Sequence, residues 1–187
     1  NGHISLSQFT LKEVIRQTIF SIAQDGSKPV LTGELFELKN DSVNVVSVDG
    51  YRISFRKNSL LNGSGDTEVI VPGKTLSELN KILSQEEEDT LSMYLTEKHI
   101  LFDLGNAVMV SRLIEGDFIR YAQSFSEDYK TKMIIDKSEL IQALERASLV
   151  SRDNRKTPVR LMLRNGGMDI TARSDMGTAH ESVVAEV

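Results

Sequence analysis

Apolar residues in this chain fall into short runs of two kinds, strand-like and helical, and the same order of runs comes round three times. The copies open at Ile4–Leu11, Val69–Leu76 and Met133–Leu140. Each is a short apolar strand, then a polar helix start, then an amphipathic stretch. Leu11, Leu76 and Leu140 mark the copies at steps of 65 and 64 residues. A recurrence at so constant a step fixes the architecture before any single motif does.

In the first copy, Leu11, Val14, Ile15, Ile19, Ile22 and Ala23 share one face of a helix predicted over Gln8–Ala23, with Ser7 as its N-cap. Gly26 and Pro29 end it. Strands are predicted at Val30–Leu38, Val43–Val48 and Arg52–Phe55, parted by Asn40-Asp41 and Asp49-Gly50, and Asp-Gly between β-rich runs is a hairpin signal. After the Gly/Ser break at Asn62–Gly65, the second copy predicts a strand at Glu68–Val71. Its helix covers about Lys74–Leu83, with Leu76, Leu79, Ile82 and Leu83 on one face. Strands follow at Thr90–Tyr94, His99–Leu104 and Ala107–Leu113. The third predicts a strand at Met133–Ile135, a helix over Lys137–Val150, and strands at Val159–Arg164, Asp169–Ala172 and His180–Glu186. Each copy therefore reads β-α-β-β-β. A proline stands 18 residues past the marker leucine in the first and third copies, as Pro29 and Pro158.

Composition changes this picture little. The 187 residues are 40% hydrophobic and 26% charged, an ordinary globular balance. The absence of cysteine excludes disulfides and thiolate metal sites. No apolar run approaches the roughly 18 residues of a membrane span. A soluble cytoplasmic protein is the expectation. The net charge of −5 argues against a strongly basic nucleic-acid binder, although a local basic face can hide within it. His3, His99 and His180 lie far apart, and no P-loop, GxSxG or GxGxxG is present. Glu86–Asp89 reads as a solvated loop rather than a cation site. No catalytic residue, metal or cofactor is expected.

A family resemblance rests on phrases in a set order. They are Phe9–Lys12 with Phe20–Ala23, Pro29–Gly33 with Leu35–Glu37, and the run Val48-Asp49-Gly50-Tyr51-Arg52-Ile53. Further on stand Val69–Lys74, Ser111–Gly116 with Phe118, and Glu145–Ala147 with Ser151. Together they resemble the bacterial DNA polymerase III beta subunit, the sliding clamp. That resemblance implies an α+β DNA-clamp fold, with helices on one inner side and antiparallel sheets outside. It implies a fragment in which residues 1–128 are the complete middle domain and residues 129–187 the first half of the C-terminal domain. It implies a non-catalytic processivity factor of the replicative polymerase that encircles double-stranded DNA without reading sequence. The full-length protein is then a head-to-tail homodimer that tethers polymerase, clamp loader and repair proteins through short peptides.

Three sets of residues follow from the resemblance. The wall of a partner-peptide pocket is Leu31, Val48, Gly50, Tyr51, Arg52, Ile53, Ile119, Gln123 and Ser124; the last three depart from the family pattern of proline, a basic residue and an apolar one. DNA-facing cations are Lys12, Arg16, Lys28, Lys74, Lys81, Arg146 and Arg152. Leu149 and Val150 sit at the ring interface. Read without the resemblance, the cations only keep helices soluble, Leu31 and Ile53 are core, Asp49-Gly50 is a turn, and Leu149 and Val150 pack in their own core. A structural or adaptor protein without a DNA role, built from the same repeat, is the alternative.

Overall fold

The computed structural model describes residues 3–63, 65–125, 128–151, 158–175 and 177–186. It divides into two compact bodies, residues 1–123 and 124–187. The N-terminal body holds two repeats. The first is β1 (Ile4–Ser7), α1 (Gln8–Thr18), β2 (Gly33–Leu38), β3 (Ser42–Val48) and β4 (Ile53–Ser59). The second is β5 (Thr67–Pro72), α2 (Gly73–Ile82), β6 (Thr90–Leu95), β7 (His99–Asp103) and β8 (Val108–Arg112). The C-terminal body holds the third: β9 (Ile134–Ile135), α3 (Lys137–Ser148), β10 (Val159–Arg164), β11 (Gly167–Ser174) and β12 (Gly177–Glu186). The β-α-β-β-β order predicted from the hydrophobic pattern is present three times.

The first two repeats exchange their opening strands. β1 lies antiparallel on β6, from Ile4 opposite Met93 to Ser7 opposite Thr90. β5 lies antiparallel on β2, from Gly33 opposite Pro72 to Leu38 opposite Thr67. Two four-stranded sheets result, ordered β4-β3-β2-β5 and β1-β6-β7-β8. Each opening strand also bridges the tail of its own repeat, at Ser5 with Asn62 and at Ile70 with Ile114. β9 makes the same tail contact, Ile134 opposite Glu186, in a sheet ordered β10-β11-β12-β9. Ser5, Ile70 and Ile134 each stand six residues before their marker leucine.

Strand alternation sorts the N-terminal body into two apolar layers. Phe36, Leu38, Val43 and Val45 face α1 and α2 and pack with Leu11, Val14, Ile15, Leu76 and Leu79. Their neighbours in sequence, Leu35, Val46 and Val48, point the other way. They form a second cluster with Leu31 and Ile70, partly covered by Ile53, Ile114, Phe118 and Tyr121. β3 is thus buried on both faces.

Several boundaries differ from the pattern-based ones for local reasons. α1 ends at Thr18, and Ile19–Ser21 is a 3-10 turn. The Ser47 hydroxyl donates to the Thr18 carbonyl at 2.5 Å, and the Ile22 N–H bonds the Ile19 carbonyl at 3.4 Å in place of the helical partner. The strand expected from Val30 starts at Gly33, because Pro29 opens a 3-10 turn over Pro29–Thr32. A Cβ on Gly33 would lie 2.5 Å from the Val71 carbonyl oxygen. Ile82, expected on the buried face of α2, is half-exposed. Leu76, Leu79 and Leu83 follow the i, i+3, i+7 line and Ile82 falls off it. α3 stops at Ser148 with Leu149–Ser151 as a 3-10 turn, short of the predicted Val150. It starts with a side-chain cap: the Glu139 N–H donates to Asp136 Oδ1 at 2.9 Å. Ser7 occupies the N-cap position of α1 but makes no such bond.

One buried group breaks the apolar rule. Glu34, on the helix-facing side of β2 beside Phe36, has no exposed surface and no hydrogen-bond partner for either carboxyl oxygen among the described residues. The nearby Thr18 hydroxyl donates to the Val14 carbonyl instead, at 2.8 Å. Burial pushes the Glu34 carboxyl up to about 8, with Thr18 offsetting a small part.

Candidate functional site

The β3–β4 turn is shaped by one aspartate. Asp49 Oδ1 accepts from the backbone N–H of Tyr51 at 3.0 Å and of Arg52 at 3.2 Å. Its Oδ2 pairs with Arg52 Nε at 2.9 Å. The Tyr51 N–H first, and then Arg52, hold the Asp49 carboxyl below the usual range. Gly50 has φ +90°, and a Cβ there would meet nothing within 4 Å, so the turn needs glycine for its backbone rather than for space. Arg52 also reaches out of the turn. Its Nη2 donates to the Phe20 carbonyl at 2.9 Å, and its guanidinium lies 5.5 Å from the Phe20 ring centroid. The turn is thereby tied to the segment that follows α1.

The pocket residues expected from the resemblance distribute as follows. Leu31 and Val48 are interior, 6% and 3% exposed, in the second apolar cluster; Ile53 is half-buried against it. Gly50, Tyr51 and Arg52 form the adjoining turn, and the Tyr51 ring is fully exposed. Ile119 is partly exposed, its carbonyl accepting from the Tyr121 N–H at 2.8 Å, and Gln123 is exposed in the 3-10 turn over Tyr121–Ser124. Ser124 falls in the C-terminal body. The β3–β4 turn is polar and aromatic, and it joins two strand ends, Val48 and Ile53, that belong to or pack against the second apolar cluster.

Four contributors were not among the site residues expected from the sequence. Phe20 supplies the carbonyl and ring that anchor Arg52. Asp49 builds the turn, which an Asx residue before glycine signals. Phe118 and Tyr121 cover the apolar cluster, and the Tyr121 hydroxyl lies 2.6 Å from Glu37 Oε2. Burial and then that carboxylate push the Tyr121 phenol above its ordinary value. Nothing in the spacing of Tyr121 marks a partner 84 residues away.

The proposed cations differ in how free they are. Lys12 does not project alongside Arg16: its Nζ donates to the Leu83 carbonyl at 2.7 Å, at the end of α2. Helix C-termini carry unpaired carbonyls and partial negative charge, so a cation there serves helix packing. Arg16 pairs with Glu13 at 2.7 Å, Lys81 with Glu78 at 2.8 Å and Arg146 with Glu181 at 2.8 Å. Lys28 and Lys74 are exposed, and neither side chain has a hydrogen bond or ion pair among the described residues. Arg152 lies outside the described residues. Leu149 is exposed and Val150 half-buried, the latter's carbonyl accepting from the Ser174 hydroxyl at 2.6 Å. Among the described residues no three His, Cys, Asp or Glu side chains converge to hold a metal ion, and no helix is long and apolar enough to cross a membrane.

Comparison with known proteins places this arrangement. Residues 5–119 match the family model for the central domain of the DNA polymerase III beta subunit, and residues 123–187 match the model for its C-terminal domain. The beta sliding clamp of Staphylococcus aureus is 36% identical over 183 residues, covering 97% of this chain and 48% of that protein. A Eubacterium rectale chain assigned to the DNA polymerase III beta subunits superposes with a TM-score of 0.95 at 42% identity, over 100% of this chain and 50% of that one. The DNA polymerase sliding clamp of Bacillus subtilis superposes with a TM-score of 0.92 at 31% identity, over 98% of this chain and 49% of that one. The chain spans about half the length of the curated relatives it matches. On these matches, and on the thrice-repeated fold beneath them, the chain belongs to the family of DNA polymerase III beta subunits.

Proposed function

We propose that this chain is part of a sliding clamp, a non-catalytic cytoplasmic processivity factor that encircles duplex DNA and tethers a replicative polymerase. In this reading residues 1–128 are the complete middle domain and residues 129–187 the first half of the last domain. The ordered match of both segments to beta-subunit domain models is the observation that carries it. The turn over Asp49–Arg52, together with Ile53, Ile119, Gln123 and Ser124, contributes to a docking surface for partner peptides in this reading.

DNA contacts in this reading are weak by design. Exposed ion pairs contribute only about 0–1 kcal/mol, so Arg16, Lys81 and Arg146 exchange a carboxylate for a phosphate at little cost. Lys28, Lys74 and Arg152 add further sequence-independent charge. Topology then holds the protein on DNA, and weak, salt-sensitive contacts permit sliding. Leu149 and Val150 contribute to head-to-tail closure of the full-length dimer.

The test is topological. The longer protein containing this chain, loaded by a clamp loader, is expected to stay on circular duplex DNA and to run off once that DNA is linearised. Equal retention on both forms, or loss from both, overturns the ring and favours an adaptor without a DNA role.

A further inference from the structure

The chain that leaves β8 recrosses the N-terminal body. From Ile114 onward it lies over the face of the β4-β3-β2-β5 sheet that is turned away from the helices. It meets β5 first, where the Ile114 N–H donates to the Ile70 carbonyl at 2.9 Å. Phe118 then covers the second apolar cluster, and Tyr121 ends the crossing over β2 and β4. The Tyr121 hydroxyl donates to Glu37 Oε2 on β2 at 2.6 Å, and its ring centroid lies 6.0 Å from that of Phe55 on β4.

Between these ends the strap is held lightly. Residues 115–120 make no backbone hydrogen bond to a strand among the described residues. A segment with so few backbone bonds opens at low cost unless its side chains hold it. The far end is held by a prepared acceptor. Glu37 is half-buried, and Asn44 Nδ2 on β3 donates to the same carboxylate oxygen at 3.0 Å. Glu37 is thus oriented from the neighbouring strand, independently of the phenol. A hydroxyl-to-carboxylate bond of this length is of the strong, charge-assisted kind. The ring and the hydroxyl do different things. The ring packs on Phe55 and the apolar cluster, which leaves it free to slide; the hydroxyl fixes it at one point on β2.

We propose that the bond between Tyr121 and Glu37 is a latch that positions the strap for partner docking, with both residues acting as positioning residues rather than contacts. The inference rests on the docking function proposed above. Ile119 and Gln123 stand two residues on either side of Tyr121, so the point that fixes the hydroxyl also fixes them. With the latch shut, both are held at one place over the sheet whose β3–β4 turn is Asp49–Arg52. With it open, the strap keeps its anchor at Ile70 and shifts from there, and the docking surface is complete for only a fraction of the time. Apparent affinity then falls by that fraction. If Tyr121 acted through its ring alone, removing the hydroxyl would change neither the strap nor docking.

Variants of the longer protein containing this chain test the latch. Tyr121→Phe keeps the ring and removes the donor, Glu37→Ala removes the acceptor, and Glu37→Gln keeps an acceptor for the hydroxyl. Affinity for the cognate replicative polymerase, immobilised on a sensor surface, should fall about threefold or more with Tyr121→Phe and with Glu37→Ala. Glu37→Gln should stay within about twofold of the unaltered protein, because an acceptor remains. Tyr121→Phe combined with Glu37→Ala should lose no more than either change alone, since one bond is at stake. Trypsin reads the strap without any partner. Arg120 is exposed and directly precedes Tyr121. Cleavage after Arg120, identified by fragment mass and scaled to cleavage after the exposed Lys130, follows the population of the open strap. It should quicken about threefold or more with Tyr121→Phe and Glu37→Ala, and not with Glu37→Gln. Unchanged cleavage with Tyr121→Phe, or additive losses in the combined variant, overturns the latch. Faster cleavage with unchanged polymerase affinity overturns its part in docking. An unaltered protein without affinity for the polymerase overturns the docking function itself, and the positioning role with it, whatever the cleavage rates.

Discussion

Glu34 should make the N-terminal body weaker as pH rises, which is opposite to the effect of a salt-bridged carboxylate. Its carboxyl is buried with no hydrogen-bond partner among the described residues, and burial pushes its pKa up to about 8 against 4.5 for a solvated glutamate. The folded state thus binds a proton that the unfolded state has released over that interval. Stability linked to this group is fully present below about pH 4.5 and is lost as pH climbs to about 8. Each pH unit in the interval costs about 1.4 kcal/mol, so the ceiling on the total is about 5 kcal/mol. Glu34→Gln keeps the shape and cannot ionise. Denaturant melts of both proteins at intervals from about pH 5 to pH 8 should show the difference growing in favour of glutamine by about 1.4 kcal/mol per unit. Other titrating groups cancel in the difference. A fixed offset at low pH would reflect the buried amide and is immaterial; only the slope counts. Parallel stability curves would refute the reasoning and mean that Glu34 is ionised or hydrated in the folded protein.

Leu79→Ala empties a fully buried position between α2 and the sheets and should cost about 2–5 kcal/mol in denaturant melts; a loss below about 1 kcal/mol would mean the helix is loosely packed. Asp136→Ala removes the cap on α3 and should cost about 1 kcal/mol, whereas Asp136→Asn should recover most of it, both read from melting of the C-terminal body. Gly33→Ala drives a Cβ to 2.5 Å from the Val71 carbonyl oxygen and should destabilise by about 1–3 kcal/mol; a neutral result would show that β5 can slide outward. Arg52→Glu in the longer protein loses the bonds to Asp49 and Phe20. It should change stability by less than about 1 kcal/mol, because the pair is exposed, yet reduce binding of a partner peptide at least about tenfold by anisotropy. Unaltered peptide affinity would remove the turn from the docking surface.

The three helices and the strand count were legible because burial imposes periods that survive in a single sequence. Leu11, Val14 and Ile15, or Leu76 and Leu79, face the core in every reading of a helix. Helix ends were not legible, because they are decided by distant acceptors and donors. Ser47, 29 residues away, bonds the last carbonyl of α1, and no local signal at Thr18 announces it. The exchange of β1 and β5 between repeats was hidden for the same reason: alternation says which face is buried and is silent about the neighbour. At the candidate site the Asp49-Gly50 turn was visible from its chemistry. The interior position of Leu31 was one of two readings the sequence left open, and that of Val48 and the capture of Lys12 by the Leu83 carbonyl were not legible, since apolar and cationic residues look alike in sequence whether they meet a ligand or their own fold.

The exchanged strands set an order of events during synthesis. Residues 4–7 are made long before their sheet partner at residues 90–93. Until that partner has left the ribosome, this strand has only its bridge to Asn62 within its own repeat. Contacts of such long sequence separation slow folding and lengthen exposure to misassociation. They also make the two repeats one cooperative block, unlike the independently stacking modules of a solenoid. A nick between Ser59 and Thr67 would leave two halves that each retain a stranded segment belonging to the other, and these halves should reassociate rather than fold apart.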